Sequence, residues 1–163
     1  MNQRVLVTGA SGFIGRALVP ALANAGYFVR AAARDPSNLD TSPPGIEAVS
    51  MPDLKSNGID WAELVEGCDY AVHLAGIAHA SKTIPDAEYH AVNCEAVRSL
   101  ADAAQRAGVR RFLYMSSVRA QTGPNADGVI DEQSEPRPTD AYGWAKLAGE
   151  VALSDVLEDS QTD

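Results

Sequence analysis

Three glycines at three-residue spacing, in Thr8-Gly9-Ala10-Ser11-Gly12-Phe13-Ile14-Gly15, stand between an apolar run and a helical pattern, and few folds use that arrangement. Arg4-Val5-Leu6-Val7-Thr8 reads as a buried first strand, and Phe13 to Ala25 as the helix after it, ended by Gly26. Glycines at such a junction allow a tight turn, close approach of the backbone to a ligand, and close packing of helix on sheet. The helix start then offers unpaired N–H groups and partial positive charge to an anion such as a pyrophosphate. Pro20, inside this helix, removes one backbone hydrogen bond and predicts a kink.

The same alternation continues along the chain. Tyr27 to Ala33 reads as a second strand, Pro36 to Gly45 as a loop, and Ile46 to Ser50 as a third strand. Asp60 is placed to cap a short helix through Glu66, and Tyr70 to Leu74 is a fourth strand. The longest helix is predicted over Asp86 to Ala107, with Tyr89, Val92, Ala96, Leu100, Ala103 and Ala107 on one stripe. Gly108 ends it, Phe112 to Met115 is a fifth strand, residues 119–140 a polar loop, and Ala141 to Glu158 a last helix. Short apolar runs alternating with helices predict an α/β fold: a Rossmann-type parallel sheet of about five strands with helices on both faces. The chain has 163 residues and is 45% hydrophobic, enough for one core, so residues 1–163 are read as one domain.

Charge and composition exclude several functions. The net charge is −9, and nine of the 22 acidic side chains but only Arg137 and Lys146 of the 13 basic ones lie in residues 131–163. An acidic chain without a basic stripe argues against nucleic-acid binding, and the acidic end reads as a solvated face and tail. No apolar stretch approaches the roughly 20 residues that cross a bilayer, and no secretory leader is recognisable, so a cytoplasmic protein is expected. Cys68 and Cys94 read as reduced, buried thiols. His73, His79 and His90 share no metal-ligand spacing, and no metal site is expected; His73, on a strand, reads as a satisfied core histidine.

The glycine spacing differs from the usual Gly-x-Gly-x-x-Gly fingerprint and resembles the Thr-Gly-x-x-Gly-x-x-Gly of extended short-chain dehydrogenases/reductases, the nucleotide-sugar epimerase and dehydratase family. Tyr142-Gly143-Trp144-Ala145-Lys146 is similar to that family's Tyr-x-x-x-Lys. The resemblance covers nearly the whole chain and implies an NAD(P) cofactor whose pyrophosphate lies against Gly9, Ser11, Gly12, Phe13, Ile14 and Gly15. It also implies adenine contacts from Asp53 and Leu54, although a turn carboxylate is an equal reading of Asp53, and a close backbone passage at Leu74, Ala75 and Gly76.

The family's acidic position at the end of the second strand falls on Ala33, with Arg34 next to it. An acidic residue there selects NAD and an arginine accommodates the extra phosphate of NADP, so NADP is favoured and NAD stays open. The stretch Val29 to Pro36 is similar to that of dihydroflavonol reductases; the competing reading of Arg34 is a solvated cation beside Asp35.

For catalysis the resemblance points to Ser117, Tyr142 and Lys146. Residues four apart on a helix share a face. An ordinary phenol keeps its proton to a pH of about 10, and a nearby ammonium favours the phenolate. Such a tyrosine exchanges a proton with a substrate oxygen, Ser117 hydrogen-bonds that oxygen, and Lys146 also holds the cofactor ribose together with Tyr142. Ser116 reads as a neighbour of the catalytic serine, and Asn93 either as the family's supporting asparagine or as an exposed helical residue. The family's Val-Tyr-Gly after the serine is replaced here by Ala120-Gln121-Thr122-Gly123.

Two enzyme readings follow, a nucleotide-sugar epimerase or dehydratase and an NADPH carbonyl reductase resembling dihydroflavonol reductase. A third is a non-catalytic dinucleotide-binding module. Members of the family continue into a C-terminal substrate domain, and none is recognisable after the helix bearing Tyr142. The chain is therefore expected to be a fragment, a natural truncation, or a half completed by a partner chain or a second copy.

Overall fold

The computed structural model describes residues 3–56, 58–78, 84–125 and 128–158. His79 and the acidic tail Asp159 to Asp163 lie outside the described residues. Five strands form one parallel sheet in the order β3-β2-β1-β4-β5: β1 Arg4–Thr8, β2 Phe28–Ala33, β3 Ile46–Ser50, β4 Tyr70–His73 and β5 Arg111–Tyr114. β1 and β3 match their sequence expectations, β2 and β4 differ by one residue at one end, and β5 begins and ends one residue earlier than expected.

Side chains alternate between the two faces with the strand's period of two. Val5, Val7, Val29 and Ala31 face helix α1 (Phe13–Asn24) and pack with its Val19. Leu6, Ala32, Ala71 and Phe112 face the opposite side, where the larger cluster also takes Trp61, Leu64 and Leu100. That side is covered by α2 (Ala62–Val65), a long helix over residues 86–106, and α6 (Ala141–Leu157). On the α1 side of β5, Leu113 is 47% exposed.

The turns follow local chemistry. α1 carries Pro20 and runs on to Asn24, then closes with Gly26 N–H donating to Ala23 O and Tyr27 N–H to Leu22 O, with Gly26 at φ +91°. Asp60 Oδ1 accepts from Ala62 N–H at the start of α2, which ends at Val65, one residue short of the expectation. Arg30, buried on β2, ties α2 to the sheet: its Nη1 donates to the carbonyls of Glu63, Leu64 and Glu66 at 2.8–3.0 Å, and its Nε to Glu47 at 3.1 Å.

Three expectations are corrected. The long helix is not uniform: α3 (Asp86–His90) passes into a π turn (Ala91–Glu95) and then α4 (Ala96–Arg106). Ala107, expected on the buried stripe, is exposed, because the helix ends one residue earlier and Gly108 turns the chain away. The segment 119–140 is not all loop, since Ser117 caps a one-turn helix α5 (Val118–Gln121).

Candidate active site

At the C-terminal edge of the sheet, where parallel strands deliver their loops, two adjoining clefts form a trough. Both are walled by Gly9, Gly12, Leu74, Gly76 and Ile77. The first cleft, about 270 Å³, also takes in Ser11, Arg34, Asp53, Leu54 and Ala75. The second, about 430 Å³, takes in Phe13, Ile14, Gly15, Tyr142 and Lys146. All the residues expected to hold a dinucleotide therefore line one trough. A larger cleft of about 610 Å³ between α2 and α4 gathers none of them.

The backbone at the trough floor is packed tightly enough to need its glycines. Gly9 has φ +69°, and a Cβ there would lie 2.7 Å from Ala75 N; a Cβ on Gly15 would lie 2.5 Å from the carbonyl oxygens of Gly9 and Ala10. No side chain caps the start of α1, so its first-turn N–H groups open toward the cleft that Phe13, Ile14 and Gly15 line. This is the donor set and local charge that a pyrophosphate requires, and the residues fit a dinucleotide. At the outer end Arg34 is exposed along the cleft wall. Its neighbour Asp35 is engaged elsewhere: it accepts from Ser37 N–H, Ser37 Oγ and Asn38 Nδ2, capping a 3-10 turn, and these bonds hold its carboxyl below the usual range.

The other end of the trough is built from four distant elements. Asn93 is buried in the π turn: its Oδ1 accepts from Ile77 N–H at 3.0 Å and its Nδ2 donates to Ile77 O at 2.9 Å. It thus reads as a support for the trough wall, not an exposed helical residue. Gly76 permits this approach, since a Cβ there would lie 2.7 Å from Asn93 Oδ1. Tyr114, at the end of β5, donates from its hydroxyl to Asn93 O at 2.9 Å. Lys146 Nζ donates to Tyr114 OH at 3.1 Å and to Met115 O at 2.7 Å, and lies 4.3 Å from the centre of the Tyr114 ring. Burial lowers the Lys146 ammonium to a pKa of about 8, with the Glu150 carboxylate acting in the opposite direction. The Tyr114 hydroxyl is pushed well above its ordinary value, chiefly by burial.

Tyr142 stands one turn before Lys146 on α6, and its ring meets Tyr89 edge-on at 6.0 Å between centres. Asp140 caps this helix by accepting from Gly143 N–H at 2.7 Å and is paired with Arg119. Of the two serines after β5, Ser116 lines the cleft and donates its hydroxyl proton to Glu150. Ser117 Oγ accepts from Arg119 N–H, which leaves its own proton to be donated.

His73 departs from the expected satisfied core histidine. It is fully buried at the end of β4, with Nδ1 2.7 Å from Thr8 Oγ1, but Nε2 has no partner among the described residues. Burial, and then the positive charge of Lys146, lower its pKa to about 3. Sequence reasoning missed Tyr114, and it read Ser116 only as a neighbour of Ser117 although Ser116 is the serine that lines the cleft. The available signal was a tyrosine two residues after Phe112, on the same face of β5.

Residues 5–163 match the model of the NAD dependent epimerase/dehydratase family. Dihydroflavonol 4-reductase of Hordeum vulgare is 32% identical over 153 residues, 88% of this chain and 40% of the reductase. A 3-beta-hydroxysteroid dehydrogenase of Mycolicibacterium neoaurum is 37% identical over 156 residues, 90% of this chain and 41% of that protein. Among solved structures, MoeE5 in complex with UDP-glucuronic acid and NAD superposes with a TM-score of 0.85 at 33% identity, covering 98% of this chain and 52% of that one. A short-chain dehydrogenase/reductase superfamily protein from Agrobacterium tumefaciens with bound NAD gives 0.83 at 28%, covering 99% and 47%. The chain thus spans about two fifths of the length of those relatives and about half of those structures. Among the described residues no helix is long and apolar enough to cross a membrane.

Proposed function

The chain belongs to the NAD-dependent epimerase/dehydratase family, and on that premise we propose that it forms the cofactor-binding and proton-transfer half of an oxidoreductase acting on a nucleotide sugar. The observation that carries this reading is that the uncapped start of α1, Tyr142 and Lys146 wall one cleft. A nicotinamide ring bound there supplies the acceptor and donor of hydride. Tyr142 takes the proton from, or returns it to, the substrate oxygen that becomes a carbonyl. The resemblance assigns a hydrogen bond to that oxygen to Ser117, which caps α5 beside the cleft-lining Ser116 and keeps a proton to donate. Lys146 has three N–H donors, two of which go to Tyr114 OH and Met115 O, and the third would hold the cofactor ribose.

NADP is the favoured cofactor on the strength of Ala33 and Arg34: a small residue leaves room where a carboxylate would repel the extra phosphate, and the guanidinium can grip it. Commitment of Asp35 to its own turn supports this, because no neighbouring carboxylate bond competes through that residue. The same pair favours the second reading, an NADPH carbonyl reductase like dihydroflavonol 4-reductase. A non-catalytic dinucleotide module is the third. Substrate contacts come from a further segment, a partner chain or a second copy, and the reduced thiols Cys68 and Cys94 suit a cytoplasmic setting.

Calorimetric titration with NADPH and NADH tests the premise. Tighter binding of NADPH, with the preference removed by Arg34→Ala, is expected; failure to bind either dinucleotide overturns it. By itself the chain is expected to show little turnover on UDP-sugars, and robust turnover abolished by Tyr142→Phe would refute the need for a substrate half.

A further inference from the structure

The π turn places a set of side chains that the proposed reaction does not use. In an α-helix, residue 94 returns beneath residue 90, but residue 95 lies about 140° further round than residue 90. A π turn closes through i→i+5 bonds, as in Ala96 N–H donating to Ala91 O, and widens the helix so that residues 94 and 95 both come back toward residue 90. The ligand atoms of His90, Cys94 and Glu95 consequently all lie within 4.8 Å of one another. His90 Nδ1 and Glu95 Oε1 are 3.6 Å apart, and both side chains are more than half exposed, while Cys94 is buried beneath them.

We propose that His90, Cys94 and Glu95 form a binding site for a zinc-class divalent cation, with the fourth position left to water. Imidazole, thiolate and carboxylate together suit a borderline metal and not magnesium or calcium, which take oxygen ligands. Metal–ligand bonds of about 2.0 to 2.3 Å set tetrahedral ligand atoms roughly 3.3 to 3.7 Å apart. The His90–Glu95 separation already meets this, and the exposed side chains close the remainder by rotating toward a fixed sulfur. As the metal–sulfur bond forms, the Cys94 thiol proton leaves to solvent. Access is from the solvent side, between the two exposed ligands. The spacing escapes a search for repeated Cys or His pairs, since it becomes a cluster only when the helix takes an i→i+5 turn.

The site lies on the turn that carries Asn93, so a bound cation would clamp one wall of the trough. Cobalt(II) titration of the chain reads the site directly. One equivalent is expected, with a thiolate charge-transfer band and the strong visible bands of a tetrahedral ion. Cys94→Ser should abolish the charge-transfer band, Cys68→Ser should keep it, and His90→Ala and Glu95→Gln should each weaken binding at least tenfold. The last two residues are exposed, so their variants retain the fold. Zinc should raise the Tm of the wild type and leave Cys94→Ser unchanged. No charge-transfer band in the wild type, a band that survives Cys94→Ser, or affinity unaffected by both exposed variants would overturn the proposal and leave only a His90–Glu95 ion pair.

Discussion

The two ends of the trough are made in opposite ways. The end carrying Arg34 is assembled from loops at the tips of β1, β2 and β3, with Arg34 exposed on the cleft wall. The end carrying Tyr142 draws on β4, the π turn, β5 and α6, and it buries His73, Asn93 and Lys146 among apolar side chains. Holding an anion needs N–H groups and positive charge, which a single turn supplies. Moving a proton needs ionisable groups in dry surroundings, which only several packed elements supply, at a cost in stability.

The largest expected effect is on acid stability, at the buried end. An unfolded histidine takes up a proton near pH 6.5, whereas His73 in the fold resists until about pH 3. The unfolded state therefore binds more protons as pH falls between these values, and stability drops, by about 3 kcal/mol from pH 6.5 to 4.0. Urea denaturation at the two pH values should show this loss, and His73→Phe should remove most of it. An unchanged slope in the variant would erase the contrast.

Next in size, Asn93→Ala strips partners from Ile77 N–H and Ile77 O at once. A loss of about 1 to 3 kcal/mol is expected by the same measurement, since each hydrogen bond to a half-buried group is worth about 0.5 to 1.5 kcal/mol. A loss below 1 kcal/mol would mean that the wall does not depend on this side chain. The smallest effect belongs to the other end: Arg34→Ala should change stability by no more than about 0.5 kcal/mol. A clear drop in Tm would show that Arg34 is structural after all.

What could be read from the chain follows the same division. The strands and the glycine turn were legible because each is encoded by neighbours: apolar runs for the sheet, Gly9 and Gly15 for a floor with no room for a Cβ. Tyr142 and Lys146 were picked out by the resemblance to the family's Tyr-x-x-x-Lys, and the structure places them one turn apart on α6. The π turn was not, because its hydrogen-bond pattern leaves no periodic mark in Ala91–Glu95. Tyr114 read as strand filling, since its bonds to Asn93 and Lys146 join residues 21 and 32 positions away. The short helix at Val118–Gln121 was hidden in a polar stretch, although Ser117 two residues before Arg119 is a capping arrangement.

Arg30 has a consequence for how such a molecule responds to its surroundings. Its guanidinium fastens α2 to β2 through three carbonyl oxygens and Glu47. A guanidinium does not surrender its proton in proteins, so the three carbonyl bonds persist across the range in which His73 and Lys146 titrate. The attachment of α2 to the sheet and the protonation of His73 and Lys146 are thus governed by separate chemistry.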